Sequence, residues 1–285
     1  MKNITQIVRD APQHWVGDGF PVRSLFSYQD NPAAYSPFLL LDYADPYEFP
    51  PADQTRGVGQ HPHRGFETVT IVYQGELAHR DSTGTSGTIG PGDVQWMTAA
   101  GGILHEEYHS PAFTKTGGTF EVAQLWVNLP AREKLTPPRY QDLRKDAIPT
   151  VELAGAGNAR IIAGEFNGTP GPARTVTRVN LWDLDLNANQ PVDLPIAGGD
   201  TAILLVRSGS LRVGEEELSN GQLALFDQQG TDIRFETLAP TKALLLSGEP
   251  LNEPIAARGP FVMNTDEEIH QAIQDFQSGR MGSLT

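Results

Sequence analysis

Between His61 and Glu107 the sequence sets two ligand-rich clusters at the ends of a strand-like run. The first is His61-Pro62-His63-Arg64-Gly65-Phe66-Glu67 and the second is Gly101-Gly102-Ile103-Leu104-His105-Glu106-Glu107. Five of the seven histidines (His61, His63, His79, His105 and His109) fall between Gln60 and Ser110. Glu67 to Leu77 is rich in β-branched residues and reads as a strand, and Gly90-Pro91-Gly92-Asp93 reads as a turn. Alternate residues of a strand share a face, so Val69, Ile71 and Tyr73 lie on a face that, extended backwards, takes in Glu67, His63 and His61. His105 and Glu107 share a face by the same rule. A chain patterned in this way is expected to build a metal site inside a small β-barrel.

Composition narrows the ligands. There is no cysteine among the 285 residues, which excludes disulfides, thiolate ligands and cysteine nucleophiles, so imidazole and carboxylate must hold any metal. Such ligands point to Fe, Mn, Ni, Cu or Zn. A formal net charge of −14, with no basic run, argues against direct binding to nucleic acid. The longest apolar runs, Phe38-Leu39-Leu40-Leu41 and Ile203-Leu204-Leu205-Val206, are too short to span a bilayer. Met1 to Trp15 lacks an apolar leader core, and a cytoplasmic location is expected.

Short strands with Gly-rich turns recur along the chain, the signature of an all-β barrel or jelly roll. Residues 1–60 read as loops and short strands, including Val22 to Phe26 and Phe38 to Asp42, with Tyr43 to Arg56 as a loop. Pro130 to Pro149 is charged and broken by Pro137-Pro138, and reads as a connector. Strands return over residues 150–250. Val72-Tyr73-Gln74-Gly75 there finds an echo in Val206-Arg207-Ser208-Gly209, and Gly92-Asp93-Val94 in Gly221-Gln222-Leu223. The second half has no histidine before His270, so a duplicate barrel would lack a comparable metal site. Near the end, Thr265-Asp266-Glu267-Glu268 fits a capping box, Ile269, Ala272, Ile273 and Phe276 form one apolar stripe, and Gly279 supplies the stop.

His-x-His with a glutamate four positions on, then His-x-Glu across a Pro-Gly-Asp turn, is similar to the pattern of the cupin superfamily. The resemblance to the pirin family is closer. It rests on His61 to Thr70, on Pro91-Gly92-Asp93-Val94-Gln95-Trp96-Met97-Thr98-Ala99 and on Gly102 to Glu107. Pro37 to Asp42, Leu125 to Pro130, Asn252 to Ile255 and Gly259 to Asn264 carry it further. The resemblance implies an all-β bicupin: two barrels face to face, the first metal-bearing and the second degenerate, with a short C-terminal helix. The expected spans are 1–135 for the metal-binding barrel, 136–250 for the degenerate barrel, and 251–285 for a segment returning to the first. Ligands at His61, His63, His105 and Glu107 are likewise implied. In the wider cupin pattern a glutamate placed like Glu67 would ligate; strand parity allows both carboxylates, and the pirin pattern selects Glu107. Glu67 then supports a ligand or faces substrate. His79 and His109 are read as hydrogen-bonded polar residues near the barrel rim, and Glu106 as facing away.

No Gly-x-Ser-x-Gly elbow or phosphate-binding loop is present. The resemblance implies two functions of different class. One is a flavonol (quercetin) 2,3-dioxygenase, holding a divalent transition metal, Fe(II) before Ni, Mn, Cu, Co or Zn, with a flavonol-like aromatic and O2 as partners. Glu107 would serve it as base as well as ligand, and Val69, Ile71 and Trp96 would line the aromatic's cavity if they face it. The other is an iron-dependent, redox-sensing co-regulator that acts through a protein partner. The enzyme is the first reading.

Overall fold

The computed structural model describes residues 1–284, which form two compact units. One comprises Pro12–Pro32, Phe38–Lys145 and the described residues from Asn252 onward; the other comprises Met1–Ala11, Ala33–Pro37 and Asp146–Leu251. Each contains a seven-stranded and a four-stranded antiparallel sheet. In the first unit the larger sheet runs Arg139–Leu143, Val94–Thr98, Phe66–Gln74, Gly118–Asn128, Phe38–Phe49, Phe20–Ser27, Gln13–Val16. Its smaller sheet runs Gly57–His63, Ile103–His109, Leu77–Asp81, Ser86–Ile89. The second unit repeats the plan, with a larger sheet of Ile4–Val8, Gln222–Phe226, Thr201–Ser208, Thr241–Gly248, Val179–Leu186, Gly157–Ala163 and Thr150–Glu152. The fold is all-β with a short C-terminal helix, as expected.

The sequence echo marks a structural duplication. Gly75 and Gly209 end equivalent central strands with φ of 84° and 85°. The amide of Gly92 donates to the Val72 carbonyl at 2.8 Å, and that of Gly221 to the Val206 carbonyl at 2.7 Å. The same turn closes the same strand in both units. Their interiors differ completely. The second unit packs Phe166, Trp182, Leu204, Phe226 and Leu245 against Val192, Leu194, Ile233 and Phe235 of its smaller sheet, a hydrocarbon filling with no imidazole.

Several local expectations change. The strand begun at Phe38 continues to Phe49 through Asp45-Pro46, because Gly118–Asn128 pairs with it as far as Phe49, a partner that local propensity does not reveal. Part of the expected connector, Arg139–Leu143, pairs in register with Val94–Thr98 and edges the first barrel. Ile4–Val8 occupies the equivalent edge of the other barrel through Gln222–Phe226. These units are cut differently from the expected spans 1–135, 136–250 and 251–285: Met1–Ala11 and Ala33–Pro37 group with Asp146–Leu251, and residues 136–145 group with the histidine-bearing unit. Among the described residues no helix is long and apolar enough to cross a membrane.

The C-terminal helix Asp266–Gln277 begins with the Thr265/Glu268 capping box and buries Ile269 and Ala272. Its Phe276 remains 39% exposed, so the apolar stripe ends one turn early. The helix packs with Leu104, Phe261, Met263 and Met281, behind the strand that bears His105. Arg64 secures it, donating to Asp275 at 2.8 Å and to the Gly101 carbonyl at 2.8 Å.

The turn at Arg64-Gly65 separates two strands that belong to different sheets. Gly65 has φ of 90°, and a Cβ there would lie 1.9 Å from the Val262 carbonyl oxygen. The Val262 amide donates to the Arg64 carbonyl, and the Arg64 amide to that of Pro260, so the C-terminal segment binds the turn as a short strand would. Gly65→Ala should therefore cost more than the roughly 1–3 kcal/mol of backbone strain alone. Gly84→Ala is the control, since Gly84 has φ of 86° with nothing within 4 Å of a built Cβ. Urea unfolding of both variants should show the larger loss at Gly65; equal losses would mean the close approach is easily relieved.

Candidate metal centre

His61 and His105 face each other directly across neighbouring strands, and His63 pairs with Ile103 two residues along. Their rings converge, with centroids 4.2 Å apart for His61 and His105 and 4.8 Å apart for each pair that includes His63. One nitrogen from each lies within 4.8 Å of the other two. His61 Nδ1 sits 2.9 Å from the Gly59 carbonyl, which can only accept, so the proton is on Nδ1 and the Nε2 lone pair is free. Both ring nitrogens of His105 and Nδ1 of His63 are buried without a hydrogen-bond partner. Burial first, and then the neighbouring imidazoles, push His63 and His105 well below the ordinary histidine pKa. Neutral imidazoles with uncommitted nitrogens, as at His63 and His105, are costly to bury, and together with His61 they offer the donors a divalent cation requires. The residues fit a metal.

Glu107 is buried on the same strand as His105 and borders the same cavity as His61 and His63. Its Oε2 accepts from the Gln124 amide at 3.1 Å and its Oε1 from the Thr70 hydroxyl at 3.3 Å. Burial raises its pKa, opposed by His61, Gln124 and Thr70. The carboxylate is not among the ligand atoms that converge within 4.8 Å; those belong to the three histidines. The cavity measures about 330 Å³ and is walled mainly by Val16, Phe20, Val22, Val58, Val122 and Trp126, with Asp42 and Gln124 as further polar groups. That size and lining suit a small, largely apolar ligand.

Gln124 and Thr70 belong to a polar row across the larger sheet. Ser24 pairs with Asp42, Asp42 with Gln124, Gln124 with Thr70, Thr70 with Gln95, and Gln95 with Asp142. Directly paired residues share a face, and this is the face that lines the cavity. In the other barrel the matching row is Ile161, Trp182, Leu245, Leu204, Ala224 and Ile7. One barrel carries polar groups where its twin carries hydrocarbon.

This row corrects the parity argument. Because the chain turns at Gly65, strand alternation does not carry from His63 to Glu67, and the inward residues of Phe66–Gln74 are the even ones. Glu67, Val69, Ile71 and Trp96 lie on the opposite face of the sheet, and none of them lines the cavity. Glu67 is fully buried there, accepting from Thr98 at 2.6 Å, with the Arg139 guanidinium 3.9 Å away. Burial raises its pKa against Thr98, Trp96 and Arg139. His79 and His109 are hydrogen-bonded as expected, but both are buried. His79 stacks on Tyr140 and bonds its hydroxyl at 2.5 Å, while His109 donates to the Gly19 carbonyl at 3.0 Å among Phe20, Phe49, Phe113 and Phe120. Glu106 faces away and pairs with Arg80. Sequence reasoning missed Asp42, Thr70, Gln124 and Tyr140. The available signal was polar residues at alternate positions of otherwise apolar strands.

Two barrels of one topology, one furnished with histidines and the other filled, define a bicupin. A model of the pirin family matches residues 19–127, and one described as the pirin C-terminal cupin domain matches residues 181–282. The chain belongs to the pirin family. It is 57% identical, over 98% of both chains, to a Pseudomonas aeruginosa protein named "Putative quercetin 2,3-dioxygenase". It is also 38% identical to human pirin, over 86% of this chain and 83% of that one. A crystal structure of a quercetin 2,3-dioxygenase from Acinetobacter baumannii covers all of both chains at 48% identity with a TM-score of 0.97. The family and the histidine triad together support a divalent metal at this site.

The buried histidines set the acid response of the metal-free protein. His63, His79, His105 and His109 all have folded-state pKa values below the unfolded 6.5, and His79 falls to about 4. Between the two values the unfolded chain binds more protons, so stability is whole above pH ~6.5 and is lost as pH falls below it. Each such histidine adds a slope of about 1.4 kcal/mol per pH unit within its window. Chelator-treated protein should therefore lose urea stability steeply from pH ~6.5 down to ~4. A flat profile over that range would contradict neutral, buried imidazoles.

Proposed function

We propose that the protein is an oxygenase of the quercetin 2,3-dioxygenase type, with His61, His63, His105 and Glu107 holding one divalent metal, Fe(II) first among the candidates. The observation that carries this reading is the convergence of three imidazoles, of which His61 and His63 border an apolar cavity of about 330 Å³. The names borne by the Pseudomonas aeruginosa relative and by the Acinetobacter baumannii protein of known structure point the same way. When bound, the metal would supply a Lewis acid for the flavonol 3-hydroxyl and a centre at which O2 can be engaged.

The protein's own groups do the rest. His61, His63 and His105 would contribute neutral nitrogens, and Glu107 the one anionic oxygen of this ligand set. The Glu107 carboxylate, its pKa raised by burial, is suited to take the 3-hydroxyl proton at one of its oxygens. Gln124 and Thr70 hold that carboxylate in place by donating to it. Phe20, Val22, Val122 and Trp126 offer flat apolar contact for the ring system and displace water from it. Consumption of flavonol with O2 would open the ring and release carbon monoxide.

Protein loaded with about one equivalent of Fe(II) should consume quercetin and O2 in equal amounts, read by loss of flavonol absorbance and oxygen uptake. A loaded site without turnover would overturn the enzyme in favour of the iron-dependent regulator. The ligand set has its own test. Glu107→Gln should lower metal content, since it removes the only anion from a set of neutral ligands. Glu67→Gln should leave metal content near wild type, because Glu67 lies on the far face of the sheet. Elemental analysis of the two variants decides, and metal lost from Glu67→Gln alone would sink the assignment.

A further inference from the structure

The cavity wall holds a second carboxyl that the metal chemistry does not use. Asp42 lies on the strand Phe38–Phe49, paired with Gln124 on one side and Ser24 on the other. It is 9% exposed and lines the cavity that His61, His63 and Glu107 border. Its Oδ1 accepts from the Ser24 hydroxyl at 2.5 Å. Among the described residues nothing donates to Oδ2, and the side chain borders the cavity.

A half-satisfied carboxyl in an apolar wall is costly to maintain. Burial raises its pKa, with the Ser24 hydrogen bond and the charge of His14 only partly opposing that. The fold does not demand it. In the twin barrel the position is taken by Trp182, between Ile161 and Leu245, and the strand pairs in the same way. A ligand in the cavity that brings an O–H to Asp42 would complete its hydrogen bonding.

We propose that Asp42 binds a hydroxyl of the aromatic substrate at a point away from the histidines, making the cavity selective for polyhydroxylated flavonols over those bearing the 3-hydroxyl alone. This rests on the flavonol reading above. The metal end takes the hydroxyl at which reaction occurs, and the Asp42 end reads a second one by a charge-assisted hydrogen bond. A hydrogen bond to a carboxylate in an apolar wall discriminates against a ligand that cannot make it, because the carboxylate is then left poorly paired.

The test is the ratio of two affinities, measured anaerobically on metal-loaded protein by fluorescence titration with quercetin and with 3-hydroxyflavone. Wild type should bind quercetin about tenfold or more tightly than 3-hydroxyflavone. Asp42→Asn should shrink that ratio, and Asp42→Leu should bring it close to one. The leucine variant puts hydrocarbon where the twin barrel already has it, which guards against a variant that merely fails to fold. Metal content, read in parallel, reports the histidine site separately. An unchanged ratio in both variants, or equal affinities in wild type, overturns the role of Asp42. Wild type that binds neither flavonol overturns the flavonol reading, and this inference with it.

Discussion

The ammonium of Lys134 is the joint on which the histidine site depends. It is buried, and it donates to the Gly65 carbonyl at 2.7 Å, to Asn128 Oδ1 at 2.6 Å and to the Val262 carbonyl at 3.0 Å. These acceptors belong to the turn after His63, the end of a central strand and the C-terminal segment. Burial pulls the Lys134 pKa down to about 7 while Glu253 and Glu268 hold it up. Three acceptors need three N–H donors, which only the protonated form has. The geometry therefore favours the charged state, although desolvation disfavours it. With the ammonium in place, the chain can reverse at Gly65, and that reversal sends His61 and His63 into one sheet and Thr68 and Thr70 into the other.

Duplication supplies an internal control rarely available in one chain. Strand order, closing turns and the φ of the matching glycines agree between the barrels, so backbone demands cannot explain their different interiors. The hydrocarbon row of Ile161, Trp182, Leu245 and Leu204 shows what the architecture accepts when only packing is at stake. Ser24, Asp42, Gln124 and Thr70 replace it in the first barrel, where each polar group needs a partner. Most find one within the row or on Glu107. Among those that do not, the histidine nitrogens and Asp42 Oδ2 bear on where a metal and a ligand would complete the set.

Much of this was legible in sequence because it is local or periodic. The capping box at Thr265, the strand run after Phe66 and the echo of Val72-Gly75 in Val206-Gly209 depend on residues close in the chain. The histidine cluster was legible as chemistry, since so few residue types could hold a metal here. The face of Glu67 was not. Period-two reasoning assumes one continuous strand, and a single positive-φ glycine at position 65 ends that continuity. The edge strand Arg139–Leu143 was hidden for a related reason. Its residues are charged and follow two prolines, and only the exposed edge of Val94–Thr98 makes them a strand. Asp42 closes an apolar run and reads like its polar end. Its place beside Gln124 is a matter of register between distant strands.

The histidine-bearing barrel is also the one whose stability depends on what it binds. Uncharged, uncommitted imidazoles at His63 and His105 are favourable only in the presence of a cation, and the unfolded chain gains by protonating them. A ligand that binds only the folded form raises its stability by mass action, and metal bound to neutral imidazoles also suppresses their protonation. The twin barrel has no such dependence, because its interior is closed by hydrocarbon. Metal loading should therefore protect the histidine barrel far more than its neighbour. The two halves of one duplicated fold thus divide the work: one keeps packing at its most stable, and the other gives up some of that stability to hold reactive groups beside an apolar-walled cavity.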